Sequence, residues 1–331
     1  MRIAAILTGS DERQRRGDIP LPQDVRKPAD SNPSNFDYCH FDILGESLVS
    51  RTLAQLEKIT NLPSIVLSGG TEPKAWAGKT SQSGAHPTAW DKAVARQLEG
   101  GAEVLVLARL TAYTDLDYEQ LLEFHCRSGS PYTKVQASRE ALDVAVVNAS
   151  VFGGKSSGYR KALRLPLPGS RSFLYHGYVN RLRQPRDYYQ LLEDALCGRC
   201  GLKPRGTEIA PSVWCGEGAA IDRTANIAAP AFIGADAHIA ACATVRAASI
   251  ERDCEIDCGT EVTNSWVLEN TYVGLALELR RSLVQRQRLF HLDREVAVDI
   301  SDGRLIGVNS KSVPLFTNLE ALFWGTPQSG A

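Results

Sequence analysis

The sequence predicts an α/β domain followed by a domain of stacked, repeating coils. Three observations carry this reading. Through the first half and beyond, strand-like apolar runs alternate with segments of helical period. From Ile209 to Ile250 an aliphatic residue or a cysteine returns every six positions. No apolar run approaches the ~20 residues that a membrane span needs. At 331 residues the chain is long enough for two domains.

Charge excludes some partner classes. The chain has 37 basic and 38 acidic residues, so no wholesale attraction to nucleic acid or to an anionic membrane is expected. The opening MRIAAILTGS is a short apolar run followed by charges, which reads as a first strand rather than a secretory signal; a cytoplasmic location is the expectation. Eight cysteines in a chain this long do not make a disulfide scaffold. Cys197-Gly-Arg-Cys200 lacks a second CxxC, and Cys254 and Cys258 are spaced CxxxC inside the repeat. Reduced thiols are expected here rather than zinc. The histidines form no HxxxH or HExxH pattern, so metal ligation by histidine has no support.

The elements follow in order. Arg2–Thr8 is a strand, apolar throughout as in a parallel strand buried on both faces. Leu48–Ile59 has helical period, Ser64–Leu67 reads as a strand, and Trp90–Leu98 as a helix. Glu103–Leu107 is a strand, Asp117–His125 a helix, Val144–Val147 a strand and Tyr188–Leu196 a helix. This alternation predicts a mostly parallel sheet with helices on both faces. Open sheets of this type bind ligands beyond the carboxyl ends of their strands. At one such end the chain places Arg109, a permanently charged guanidinium at the tip of a buried strand.

In the second half the six-residue period runs through Ile209, Cys215, Ile221, Ile227, Ile233, Ile239 and Val245. A small residue, mostly alanine, follows each after four places. Period six fits neither an amphipathic helix nor an alternating strand, and Pro211 and Pro230 interrupt any helix. One large side chain must point inward per short strand, and a small one must fit where the chain turns. Stacked coils of that kind bury a continuous core. The register slips once and resumes at Ile250, Ile256 and Val262, then more loosely at Val267 and Val273. The pattern resembles the hexapeptide-repeat proteins, which implies a left-handed parallel β-helix. The expected domains are 1–205, 206–290 and a tail at 291–331, with Arg205-Gly206-Thr207 as the first junction. In the tail, REVAVDI and RLIGV flank Ser301-Asp302-Gly303 and predict a hairpin, while Ser282–His291 reads as a basic, solvated helical stretch. The flank and open end of such a coil favour self-association, so a homo-oligomer is expected.

Five segments in order carry a wider resemblance. They are IAAILTG at the start, ILGESLVSRTLAQL (Ile43 to Leu56), DLDYEQLLEFH (Asp115 to His125), VNASVF (147–152) and GYVNRLRQPRDYYQLLEDAL (177–196). Followed by hexapeptides, they resemble the sugar-1-phosphate nucleotidyltransferases, or NDP-sugar pyrophosphorylases. The mannose-1-phosphate guanylyltransferases of that family pair a Rossmann-like, GT-A-like domain with a C-terminal β-helix. The resemblance implies displacement at a nucleotide α-phosphate by a sugar phosphate, with release of pyrophosphate and help from Mg²⁺. Carried over by motif, Gly9 and Ser10 begin the nucleotide loop, and Lys27, within Pro20–Pro28, stands at the signature catalytic lysine. Thr88 and Ala89 fall beside the nucleotide base, where Trp90 replaces a glycine. Glu140 and Asn148 fall on the sugar side, and Pro185 and Tyr188 stand at matching positions in the last segment.

The departures from the family pattern are as informative. After Gly9 and Ser10 comes Asp11-Glu12-Arg13-Gln14-Arg15-Arg16 in place of the family's glycine loop. The two metal aspartates fall at Arg109 and at Arg181, or at Asn180 if the register moves by one. Mg²⁺ takes oxygen ligands, usually carboxylates, and guanidinium repels it. Arginine binds phosphate bidentately, so this pair could clamp a nucleotide or sugar diphosphate without turning it over. Two alternatives stand beside the clamp. Each arginine could pair with a local carboxylate such as Asp115 or Asp187 and close the pocket, or Asp115 could itself serve a metal.

The expected function is therefore a sugar-nucleotide-binding member of this family with a divergent, non-catalytic site. Its ligand would be a nucleotide sugar or sugar phosphate, and its role regulatory or scaffolding in polysaccharide precursor synthesis, with a catalytic paralogue as a candidate partner. The alternative is an active nucleotidyltransferase with an atypical signature, and only then is Mg²⁺ implied. A hexapeptide acyltransferase would need a histidine base; His238, the one histidine inside the regular repeats, reads more simply as a surface residue. No G-x-S-x-G elbow is present, and Gly153-Gly154-Lys155 lacks P-loop spacing.

Overall fold

Strand β1 (Ile3–Thr8) is second from one edge of the first sheet in this computed structural model, which describes residues 1–8, 41–67, 89–138, 140–153 and 168–309. The described residues fall into two compact units. The first draws on 1–41, 46–191 and 200–202, and the second on 42–45, 192–199 and the chain from 203 onward.

The first unit is an α/β domain with a mixed six-stranded sheet. Its strands besides β1 are β2 (Ile65–Leu67), β3 (Val104–Arg109), β5 (Tyr132–Ala137), β6 (Glu140–Asn148) and β7 (Arg171–Tyr175), in the order β2-β1-β3-β6-β5-β7. A separate pair joins β4 (Tyr113–Thr114) to β8 (Val179–Asn180). β1 runs parallel to β2 and β3, while β6 is antiparallel to both β3 and β5. The alternation in the sequence suggests a more uniformly parallel sheet. The difference arises at the β5–β6 hairpin, where Ala137 pairs with Glu140 and Ser138 holds φ of 55°. Tight hairpins of this kind usually announce themselves with Asn-Gly or Asp-Gly. Serine gives no such signal.

Helices cover the sheet for reasons legible in their spacing. They are α1 (Leu48–Ile59), α2 (Ala89–Glu99), α3 (Tyr118–Ser128) and α4 (Pro185–Leu196). On α2, Trp90, Ala93, Val94 and Gln97 recur at one-turn intervals and are all buried. The first three share a core with Ala4 and Ile6 of β1 and with Leu105 and Leu107 of β3. The alternate residues Ala5, Leu7, Val106 and Ala108 are buried as well, so both faces are covered and the strands read as unbroken apolar runs. Each large aliphatic side chain so buried contributes about 1.5–3 kcal/mol. The buried Gln97 is satisfied by donating from Nε2 to the Pro63 carbonyl at 2.7 Å. Ser47 caps α1 by accepting from the Ser50 amide. Asp117 caps α3 by accepting from Glu119 and Gln120, and Gly129 ends that helix at φ of 60°.

The second unit is rich in strands, and most of them stand in three parallel ladders. Cys215, Ile233, Ile250, Val267 and Val284 stand side by side in one column. Ile227, Val245, Val262 and Leu279 form a second column, and Ile221, Ile239, Ile256 and Val273 a third. From Ile233 onward the column residues are buried in one shared core, with Ile221 and Ile227 packed against its near end. The slip visible in the sequence is systematic. From Ile233 to Val284 the chain advances by six, six and then five residues between columns, so partners in a ladder lie 17 apart.

Residues in the left-handed conformation mark the corners. Asp236, Asp253 and Asn270 form one set, Cys242, Gly259 and Ala276 another, and Ala247, Asn264 and Arg281 the third. The amides there reach the preceding layer: Asp253 donates to the Ala235 carbonyl, Gly259 to Ala241 and Asn264 to Arg246, each at 3.0 Å. These bonds satisfy backbone groups that a tight corner would otherwise leave unpaired. An earlier layer carries one more residue around Ala229-Pro230, since Ala228 faces Arg246 while Ala231 faces Ala248.

The tail differs from its sequence reading. Ser282–Gln285 and Arg288–His291 form an antiparallel hairpin, not a helix. Val284 continues the aliphatic column of Val267, so burial favours a strand, and the basic residues cluster at the turn around Arg286. Val296–Asp299 pairs with Arg288–His291, and Ile306–Val308 pairs with Thr271–Val273, so these two strands do not form a hairpin across Ser301-Asp302-Gly303. Among the described residues no helix is long and apolar enough to cross a membrane.

Candidate functional site

The connections of β1 locate the candidate site. The chain leaves β1, returns as β2 on one side, and then crosses to β3 on the other. Ligand crevices of open α/β sheets form beyond the carboxyl ends of strands at such a reversal. Here those ends are Thr8 and Arg109, paired across the β1–β3 ladder. The chain turns sharply after Arg109: the Leu110 amide donates to the Thr8 carbonyl and the Thr111 amide to the Arg109 carbonyl, both at 2.9 Å. Antiparallel β6 begins beside this edge, because Ala108 faces Val144.

β4 and β8 bring the second arginine to the same edge. Tyr113 pairs with Asn180, and Arg181 follows directly. The Arg181 guanidinium lies 3.1 Å from Glu140 Oε2 and donates from Nη1 to the Ala141 carbonyl at 3.3 Å. Arg183 reaches the same Glu140 oxygen at 3.5 Å. Two cations thus share one carboxylate, and the Glu140 side chain is 63% exposed against 26% for Arg181. Salt bridges so exposed contribute ~0–1 kcal/mol.

Three other described carboxylates around this edge are engaged by protein donors. Asp143 Oδ2 accepts from Thr111 Oγ1 at 2.7 Å. Asp115 accepts from the Tyr113 hydroxyl at 2.9 Å through Oδ1 and from the Gly201 amide at 2.8 Å through Oδ2. A Cβ at position 201 would sit 2.7 Å from Asp115 Oδ1, so a larger residue there would displace the Asp115 carboxylate. Asp187 Oδ2 accepts from the amides of Arg183 and Gln184 at the start of α4. Burial, and then the bond to Asp115, push the Tyr113 phenol well above its ordinary range, so it stays protonated as a donor. Among the described residues no group of three or more His, Cys, Asp or Glu side chains is arranged to hold a metal ion.

The sequence-predicted residues distribute unevenly. Arg109, Glu140 and Arg181 come to one edge. Asn148 ends β6 and its carboxamide is used internally: Oδ1 meets His125 Nε2 at 2.9 Å, and Nδ2 donates to the Ser130 carbonyl at 3.3 Å. Ala89 is the exposed first residue of α2, while Trp90 is buried against β1 and β3. Gly9, Ser10, Lys27 and Thr88 lie outside the described residues. Cys197 is exposed and Cys200 half-buried, with no disulfide between them, and His238 is an exposed residue facing Ala220 and Glu255 in its ladder. The sequence reading missed Tyr113, Asp143 and Arg183. The Arg181-Leu182-Arg183 alternation was the available signal for the last, since residues two apart on an extended chain share a face.

No protein-family model matches this chain, and no curated protein matches it. The fold and the chemistry at the carboxyl edge therefore carry the functional argument.

Proposed function

We propose that this chain binds a nucleotide sugar or sugar phosphate at the carboxyl edge of its α/β sheet, as a non-catalytic relative of the sugar-1-phosphate nucleotidyltransferases. One observation supports this most: Arg181 and Arg183 converge on the exposed carboxylate of Glu140, at the edge where β3 ends in Arg109. A diphosphate carries more charge than a carboxylate and accepts bidentate bonds from guanidinium. It would displace Glu140 from a weak, solvent-screened pair. The strand-rich unit is read as a left-handed β-helix of the hexapeptide type, supported by three aliphatic columns and a 17-residue step. Self-association along its flank, with a regulatory or scaffolding role in polysaccharide precursor synthesis, belongs to the same proposal.

The test is calorimetric titration with nucleoside-diphosphate sugars, with Mg²⁺ and with a chelator, beside a pyrophosphate-release assay across the common nucleoside triphosphates with mannose-1-phosphate and glucose-1-phosphate. The expected result is chelator-insensitive binding, weakened at least about tenfold by Arg181→Ala or Arg109→Ala, with no pyrophosphate released; one lost charge-assisted hydrogen bond accounts for that factor. Metal-dependent release of pyrophosphate would install the active transferase instead. Affinity unchanged in both variants would remove the clamp.

A further inference from the structure

A groove lies in the strand-rich unit beside the turn that joins Ser282–Gln285 to Arg288–His291. Its volume is about 490 Å³, within the ~300–1,000 Å³ of small-molecule sites. Ile300 and Val308 give it an apolar lining. Ile300 also packs against the aliphatic core of the unit, whereas Val308 remains 45% exposed. Arg286, Arg288, Asp299 and Ser301 supply the polar groups.

The charges in the groove are not equivalent. Arg288 and Asp299 face each other in the ladder between Arg288–His291 and Val296–Asp299, with Arg288 Nε 3.6 Å from Asp299 Oδ1. The Arg286 guanidinium, in contrast, has no ion pair and no hydrogen bond among the described residues. Its backbone is nevertheless held. Arg286 has φ of 51°, and its amide donates to Oγ1 of the buried Thr271 at 2.9 Å. After Ile233, Ile250 and Val267, the earlier members of the column that ends in Val284, the left-handed residue is Asp236, Asp253 or Asn270. After Val284 it is an arginine, so this corner offers a guanidinium where the earlier ones offer a carboxylate or a carboxamide.

We propose that this groove binds a small organic anion, with a carboxylate or phosphate head on Arg286 and an apolar body against Ile300 and Val308. A guanidinium keeps its charge at any ordinary pH and donates two parallel hydrogen bonds to either head. The Ser301 hydroxyl is a further donor. A cationic ligand would meet Arg286 as a like charge, and Asp299 already has Arg288 beside it. A wholly apolar ligand would cover the guanidinium without pairing it, and that desolvation opposes binding. The site belongs to the strand-rich unit and does not rest on the reading of the α/β edge.

The test is a fluorescence titration of the full chain with anilinonaphthalene sulfonate, whose aromatic body and fixed negative head match this chemistry. Arg286→Asn removes the charge with a residue that accepts the left-handed conformation. Val308→Asp puts a like charge on the apolar wall. Both side chains are exposed, and unchanged exchange at the Thr244–Ile250 ladder amides confirms that each variant folds. The expected result is saturable binding, weakened at least about tenfold in either variant, the loss of one charge-assisted hydrogen bond being enough for that factor at Arg286. Hexanoate or hexyl phosphate should displace the probe and neutral hexanol should not; the more effective of the two anions identifies the head. No saturable binding, an affinity unchanged in Arg286→Asn, or displacement by hexanol as effective as by the anions would overturn the proposal.

Discussion

Replacing Asn148 by alanine separates two roles for one residue. Family resemblance places Asn148 against a sugar, whereas its carboxamide joins α3 to the sheet through His125. His125 is 2% exposed, and its Nδ1 and Nε2 meet Thr133 Oγ1 at 2.8 Å and Asn148 Oδ1 at 2.9 Å. Because the carboxamide oxygen can only accept, Nε2 carries the proton in this arrangement. The alanine variant leaves that buried N–H without its partner, a loss of about 1–3 kcal/mol, and also removes the longer bond to the Ser130 carbonyl, worth under about 1 kcal/mol. Backbone pairing of residue 148 persists, since its amide donates to the Pro131 carbonyl at 2.9 Å and β6 keeps its register. A total near 2 kcal/mol corresponds to a fall of roughly 4–8 °C in the thermal midpoint of a unit of this size. Thermal scanning fluorimetry measures it, with exchange at the Tyr132–Ala137 amides to assign the loss to the α/β unit. A double-mutant cycle with His125→Gln should show coupling of about 0.5–3 kcal/mol. A loss below about 0.5 kcal/mol, or strict additivity with His125→Gln, would refute the internal role. Reduced sugar-nucleotide affinity at unchanged stability would instead support the sugar-side role.

Two further substitutions test the strand-rich unit. Ile256 is fully buried between Ile239 and Val273 in its column, so Ile256→Ala should cost about 2–5 kcal/mol, read by a urea titration that follows exchange at the ladder amides; a cost under about 1 kcal/mol would mean the columns do not share a packed core. At Gly234 an added Cβ would lie 2.5 Å from the Arg252 amide nitrogen and from the Glu251 carbonyl carbon. Both are backbone atoms of the next layer, so Gly234→Ala should destabilise by about 1–3 kcal/mol, and a neutral result would show that the layers are further apart.

Much of the fold was legible because burial leaves periodic marks. The helix Leu48–Ile59 has the same limits in the sequence reading and in the structure, and Ser47 before it is a cap residue. The runs at β1 and β3 read as strands because both faces are covered. The short edge and hairpin strands left weaker marks. β5 and β7 carry mixed polar and apolar residues, and the turn at Ser138 lacks a glycine or asparagine. Ser282–His291 misled because its arginines suggest a helical polar face, while Leu283 and Val284 are held by the ladder beside them. At the candidate site, Arg109 was visible as a charge ending an apolar run. The sharing of Glu140 by Arg181 and Arg183 was not, because it depends on β8 pairing with β4.

Sequence by itself determined an α/β part followed by a strand-rich part, and the inward-facing residues of the repeat from Ile233 onward, because hydrophobic periodicity records which side chains leave water; Ile209, the first of the six-residue series, is instead 55% exposed on a strand antiparallel to Val213–Cys215. It could not assign the left-handed corners at Cys242, Ala247, Ala276 and Arg281, residue types with no local preference for that conformation. Contacts between layers impose them, through amides that find their acceptors about one layer back. Nor could it pair Glu251 with amides at Leu44 and Gly45, 207 and 206 residues away. Only the folded chain brings a carboxyl group and a distant turn together in a site too dry to leave either unpaired.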